Sequence, residues 1–242
     1  MAIKVNCPES SEKLSLEEFL ARCDKDLNVG DEASIAAMGP SLAALARNKD
    51  FFCEYFKEFL SSIATRGASA LGELPANSEQ TFTIARRPNY YVRVATWPLP
   101  KDRGDKKDGD NKFYSYNFAH NHAFSLLTVG LLGPGYLSNN FSLEVPPSVL
   151  NPGDPIVLTP GPDQILSEGQ VLLYRKWYDV HIQNPCSEFS MSLNLMVGDD
   201  TIPQYSFDVE KSTVGEHIAG KGYAAKSLSG MLRNLRAPIG SL

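Results

Sequence analysis

Two hydrophobic periods divide the chain. Up to about residue 67, apolar residues recur at helical spacing; from about residue 79 they alternate with polar ones, as on strands. In the first part, "SLEEFLARCDKDL" opens with Ser15 and Glu18 at capping-box spacing, and Leu16, Phe19, Leu20 and Cys23 then fall on one helical face. "DEASIAAMGPSLAALARN" is a second helical stretch, interrupted at Gly39-Pro40, where proline removes a donor and clashes with the preceding turn. "KDFFCEYFKEFLSSIATRG" carries a stripe of Phe52, Tyr55, Phe56, Phe59, Leu60 and Ile63, with Gly67 placed as a C-terminal cap. The stripe over residues 51–63 is expected to be buried against the rest of the protein, or against a second copy in a homodimer.

The second part reads as about ten short strands: "TFTIARR", "YYVRVATW", "KFYSYNF", "HAFSLLTVGLL", "YLSNNFSLEV", "PIVLTP", "QVLLYR", "YDVHIQN", "FSMSLNLMV" and "QYSFDVE". Gly, Pro, Asn and Asp punctuate them, which predicts a mainly β fold, an antiparallel barrel or jelly roll. Residues 1–75 then form an α-helical N-terminal annex and residues 76–210 the barrel. Residues 211–242 form a tail with one short C-terminal helix around "AAKSLSGMLRNLR". The stretch "KDRGDKKDGDNK", residues 101–112, has nearly balanced charge and nothing to pack; it reads as a solvated loop, with an active-site lid as the alternative.

Composition narrows the function classes. Hydrophobic residues make up 43% of the 242 and charged residues 21%, as in ordinary globular proteins. A net charge of -5 without a basic stripe argues against nucleic acid or an anionic membrane as partner. No apolar run is long enough to span a membrane, and "MAIKVNCPESSEK" lacks the apolar core of a secretory signal. Cys7, Cys23, Cys53 and Cys186 are scattered and form no CxxC pair, so free thiols in a cytoplasmic setting are expected. Nucleotide-binding glycine loops are absent too.

The chain has four histidines, and two of them, His120 and His122, sit one residue apart. On a strand they project from one face, with Phe124 and Leu126 after them. Two imidazoles on one face suit iron, zinc, copper, nickel or manganese, given a third ligand. His181, in "YDVHIQN", is the candidate. The bland alternative is histidines that meet nothing. His217 is isolated near the C-terminus and reads as solvated.

In "FSMSLNLM" Ser190, Ser192 and Asn194 share one face, and Met191, Leu193 and Leu195 the other; a polar face turned inward would line a pocket. Arg93, on a face with Tyr91, Ala95 and Trp97, would then be a bidentate clamp for a carboxylate; turned outward it is a surface arginine, like Arg86 and Arg87. Glu144 ends a strand and is either a fourth ligand or an exposed charge. Tyr114, Tyr116, Tyr174 and Tyr178 could bring a phenol to the pocket, though tyrosines are ordinary strand formers. Cys186 has no basic neighbour in sequence and reads as a structural thiol.

The pattern resembles the cupin superfamily. His120-Asn121-His122 matches that family's His-x-His pair on one strand. Gly169, His181 and Asn184 match its second motif, a glycine turn, a third histidine and an asparagine. The resemblance covers roughly residues 80–210. Two features depart from it: "AFSLLTV" stands where the family's glutamate lies, and the usual Pro-x-Gly turn is replaced by "YRKWYDV". A three-histidine set without glutamate is similar to the thiol dioxygenase branch, the cysteine dioxygenase group, and "VHIQNPCSEFSMSLNL" resembles the stretch around its third histidine.

The resemblance implies a non-haem Fe(II) oxygenase, with His120, His122 and His181 on one face of the metal and the other positions open to a small-molecule substrate and O2. A carboxylate would be expected in the place of His122 if 2-oxoglutarate were used. Two alternatives remain. One is a cupin isomerase, lyase or hydrolase using zinc, manganese or nickel as a Lewis acid. The other is a non-catalytic, ligand-binding cupin.

Overall fold

The computed structural model describes residues 2–66, 80–99, 115–198 and 203–219. The charged loop 101–112, the start of "KFYSYNF" and the expected helix at 224–236 lie outside these residues. In chain order the elements are β1 (Ile3–Val5), α1 (Leu16–Asp26), α2 (Glu32–Ala37), α3 (Gly39–Arg47), α4 (Lys49–Arg66), β2 (Thr81–Arg86), β3 (Tyr90–Trp97), β4 (Ala119–His120) and β5 (Ser125–Leu132). Then come β6 (Leu137–Leu143), β7 (Leu158–Pro160), β8 (Gln164–Ile165), β9 (Val171–Tyr174), β10 (Asp179–Gln183), β11 (Ser190–Val197), β12 (Gln204–Asp208) and β13 (Thr213–Ala219).

The strands build two antiparallel sheets. One runs β1-β9-β5-β11-β3-β2; the other runs β13-β12-β4-β10-β6-β7, with β8 also on β6. This is the jelly-roll arrangement that the alternating pattern predicts. Two strands fall outside 76–210: β1 pairs with β9, and β13 pairs with β12. The second half of "KFYSYNF" is not a strand; Tyr116 makes a single bridge to Gln183 between the left-handed residues Ser115 and Asn117.

The helices cover the outer face of the six-stranded sheet. The Ser15–Glu18 capping box closes reciprocally at the start of α1, and Leu16, Phe19, Leu20 and Cys23 are all buried. Pro40 stands in the first turn of α3, where its missing N–H costs nothing. Ile35, Leu42 and Leu45 then pack with Val92, Val94, Leu127, Val129, Leu193 and Leu195 from the sheet. The outward alternate residues of β3, β5 and β11 therefore form the main core.

Helix α4 departs from expectation in its second half. Phe52 is buried and Phe56 meets Phe82 of β2 edge-on, with ring centroids 6.0 Å apart. Leu60, expected in the buried stripe, is 63% exposed. Among the described side chains of the stripe, Phe52 and Phe56 of the first turns pack with the core and Leu60 does not; the side chains of Phe59 and Ile63 lie outside the described ones.

Glycine permits a close approach of two segments at the six-stranded sheet. At Gly130 of β5 a Cβ would lie 2.1 Å from the Ser167 carbonyl oxygen, so only glycine lets that chain cross.

Candidate metal centre

The inner face of the six-stranded sheet carries Tyr91, Arg93, Ala95 and Trp97 from β3 and Ser190, Ser192 and Asn194 from β11; it faces His120 and His181 across the barrel. The polar alternation of β11 thus points inward.

His181 lies opposite His120 in register, β10 against β4, and opposite Asn140 on its other side. His122 reaches the same place by another route. Strand β4 ends at His120, so His122 is not held by strand alternation, contrary to the simple i, i+2 reading. Its backbone is clamped instead. The Trp177 N–H donates to the His122 carbonyl at 2.9 Å, and the Asn121 amide donates to the Trp177 carbonyl at 3.1 Å. Asn121 also accepts from the Tyr205 N–H at 2.8 Å. Trp177 is fully buried with φ +71, a conformation that strains a bulky residue and is retained here beside a candidate ligand.

The three rings converge. Centroids lie 5.2 Å apart for His120–His122, 4.6 Å for His120–His181 and 5.0 Å for His122–His181. One nitrogen from each lies within 4.8 Å of the other two. The His120 and His181 Nε2 atoms are 3.2 Å apart. Two nitrogen ligands about 2.1 Å from one ion, at octahedral to tetrahedral angles, stand roughly 3.0–3.4 Å apart. His120 Nδ1 lies 3.2 Å from the Phe118 carbonyl oxygen, which can only accept. Nδ1 therefore carries the proton, and Nε2 presents a lone pair to the cluster.

Charge favours the same reading. Burial drives His120 down to about 4. His122 and His181 fall well below 6.5, by burial first and then by the neighbouring histidines, with Arg93 also acting on His122. Three neutral imidazoles at physiological pH are ready to ligate. His122 Nδ1 is buried without a hydrogen-bond partner, and Phe124 stacks on the His122 ring at 5.1 Å. The donor set fits a divalent metal ion.

A cavity of about 340 Å³ opens beside the cluster, lined among others by His120, His122, Arg93, Tyr136, Gln183 and Asn194. Arg93 points inward; its Nε is buried without a partner, and burial lowers its pKa. Asn194 lines the cavity and is held by the Thr128 hydroxyl at 2.6 Å. Ser192 is buried behind the cavity wall, where its hydroxyl accepts the Trp97 indole N–H at 3.0 Å. Glu144 is exposed, takes a hydrogen bond from Thr159, and is not in the lining. The strand-end position that made it a candidate also carries it out of the barrel. Asn184 bonds the neighbouring strand at the Leu137 carbonyl and Asn139.

Of the tyrosines, Tyr116 and Tyr174 are interior and Tyr178 is partly exposed; Tyr114 lies outside the described residues. Cys186 is buried with its Sγ 4.0 Å from the Tyr116 hydroxyl, and burial pushes its thiol up, away from thiolate character. The sequence reading passed over Tyr136, Gln183, Ser138 and Asn140. Ser138 and Asn140 were recoverable, since "LSNNFSL" alternates and sets both on one face of β6. The clamp at Trp177 leaves no sequence signal.

Two facing antiparallel sheets make a jelly-roll barrel, and three histidines gather inside it, His120 and His181 from one sheet and His122 from the segment just after β4. No protein-family model and no curated protein sequence matches the chain. Among solved structures it is similar to a cupin protein from Bacteroides fragilis, at 12% identity over 53% of this chain and 85% of that one, TM-score 0.29. It is similar to DMSP lyase DddQ from Ruegeria pomeroyi, at 11% identity over 81% and 79%, TM-score 0.32. A salicylate 1,2-dioxygenase from Pseudaminobacter salicylatoxidans matches at 9% identity over 60% and 33%, TM-score 0.31. The chain spans a third of that dioxygenase and 46% of a further DMSP lyase chain. Likeness at this level carries no information on substrate. No described helix is long and apolar enough to cross a membrane.

Proposed function

We propose that the chain is a non-haem Fe(II)-dependent oxygenase acting on a small anionic substrate, either amino-acid-like or bearing a thiol or carboxylate. One observation carries this reading. Three neutral histidines cluster beside a cavity that His120 and His122 line, and that cavity holds Arg93 and, among the described residues, no Asp, Glu or Lys. His120, His122 and His181 would hold an Fe(II) ion, which would supply the activation of O2 beside an oxidisable substrate.

The chain's own residues select and orient the substrate. Three neutral ligands leave a divalent charge uncompensated, and Arg93 adds to it, so the cavity favours an anion. The planar guanidinium suits a carboxylate, and its unpaired Nε has a donor to give. Gln183 has a buried, unpaired Oε1, and Asn194 is fixed by Thr128; both can bond further polar groups. Trp97, Phe124 and Leu126 exclude water from the reacting end.

Among the described residues of the cavity, proton-transfer chemistry is less well served. A lyase or isomerase needs a group that takes up a proton near neutral pH. Tyr136 is pushed well above its ordinary value by burial, and the histidines are committed to the metal.

The test is anaerobic reconstitution with Fe(II), Zn(II), Mn(II) or Ni(II), followed by an oxygen electrode with pools of amino acids and thiols. Oxygen uptake is expected with Fe(II) alone; turnover with Zn(II) and no uptake would establish Lewis-acid chemistry instead. With a substrate in hand, Arg93→Met should lower kcat/KM at least about 30-fold, the effect of losing one partner of a buried charge contact. An uncharged amide analogue should respond little to the same change.

A further inference from the structure

Behind His181 lies a closed set of hydrogen bonds whose directions can be assigned one by one. Asn140 Nδ2 donates to two carbonyls, that of Ser138 at 3.1 Å and that of Pro162 at 2.9 Å. Carbonyls only accept, so both amide hydrogens are used there and the orientation of the side chain is fixed. Its Oδ1 then faces Ser138 Oγ at 3.3 Å and must be the acceptor. The single Ser138 hydroxyl proton is thereby spent on Asn140. Two lone pairs remain on Ser138 Oγ. One accepts the Tyr174 hydroxyl at 3.0 Å, and burial keeps that phenol protonated. The other faces His181 Nδ1 at 3.3 Å. An oxygen with no proton left to give can only accept, so Nδ1 of His181 bears the hydrogen and Nε2 bears the lone pair.

We infer that Asn140 and Ser138 are positioning residues that fix His181 as its Nδ1–H tautomer and so aim a bare Nε2 at the cluster. The inference rests on reading the cluster as a metal site. It gives the 3.2 Å contact between the His120 and His181 Nε2 atoms its meaning. Phe118 fixes the first ring and Ser138 the second, so two lone pairs face each other with no proton between them. That arrangement is unfavourable alone and favourable around a cation. Without Asn140, Ser138 is free to donate to Nδ1. The proton of His181 then moves to Nε2 and blocks it.

The tautomers are read directly in metal-free protein by nitrogen-15 NMR of labelled histidine, with His181 assigned from its own substitution. Wild type should show Nδ1–H at His181 near neutral pH. Asn140→Leu should convert His181 to Nε2–H and weaken Zn(II) affinity, measured against a chromophoric chelator, about 10- to 100-fold, the usual cost of losing a residue that orients a ligand. Ser138→Ala should leave a mixture of tautomers. Tyr174→Phe leaves both decisive bonds in place and should not change the tautomer. An Nε2–H His181 in wild type overturns the inference whatever the variants do. So does an Asn140→Leu protein that lowers only the melting temperature, with tautomer and affinity unchanged. If wild type shows Nδ1–H yet binds no metal, the tautomer assignment holds and the metal reading fails.

Discussion

Replacing His181 by alanine is expected to lower divalent-metal affinity by more than about 100-fold, beyond the effect of losing a residue that merely orients a ligand. His181 is fully buried, and its ring makes close contacts with both other histidines. The two remaining nitrogens cannot hold an ion against solvent and chelators. His120→Ala and His122→Ala should act alike. The fold should survive, because the main core is built by the helices and the outward face of the six-stranded sheet, away from the cluster. Elemental analysis after dialysis gives the metal content and thermal unfolding gives the control. A variant that keeps a full equivalent of metal would remove His181 from the ligand set.

The metal-free protein is expected to lose stability as pH falls from about 6.5 to about 4, before most carboxylates titrate. The sign follows from the buried rings. His120 has a value of about 4 in the folded chain against 6.5 when exposed, and His122 and His181 are also well below 6.5. Within that window the unfolded chain binds protons that the folded chain refuses, so stability is full above 6.5 and declines toward 4. His120 alone accounts for about 3 kcal/mol across the window. Urea midpoints of chelator-treated protein at pH 7, 5.5 and 4.5 measure this. A flat midpoint would mean that the rings are not buried as neutral bases. A shallower slope in His120→Gln assigns the effect to that residue.

Legibility in the sequence followed the strength of local constraint. Helix α1 was readable throughout, because a capping box and an apolar face each fix it independently. Strand β3 was readable to its ends, because long alternation leaves no other face for Val92 and Val94 to occupy. Strand β1 is only three residues long and mostly exposed, too short to show a period. His120 and His181 could be brought together on paper by strand logic. His122 could not, since its position depends on Trp177, whose strained backbone is set by tertiary contacts. Leu60 shows the converse failure: periodicity gives the apolar face of a helix but not where the surface beneath it ends.

Strand β1 has a consequence for how the chain comes to be folded. Ile3 pairs with Leu173 and Val5 with Val171, so the earliest-made residues of the described sheet wait for some of the later ones. Helices α1 to α3 wait as well, because the outward residues they cover include Leu193 and Leu195 of β11. During synthesis the helical segments therefore emerge before the surface that receives them exists, and segments of 6 to 11 residues are marginal as helices without it. Contacts this distant in sequence make for slow folding, and the apolar residues of these segments stay exposed meanwhile. Strand β1 can be sealed onto the sheet edge only once β9 has emerged.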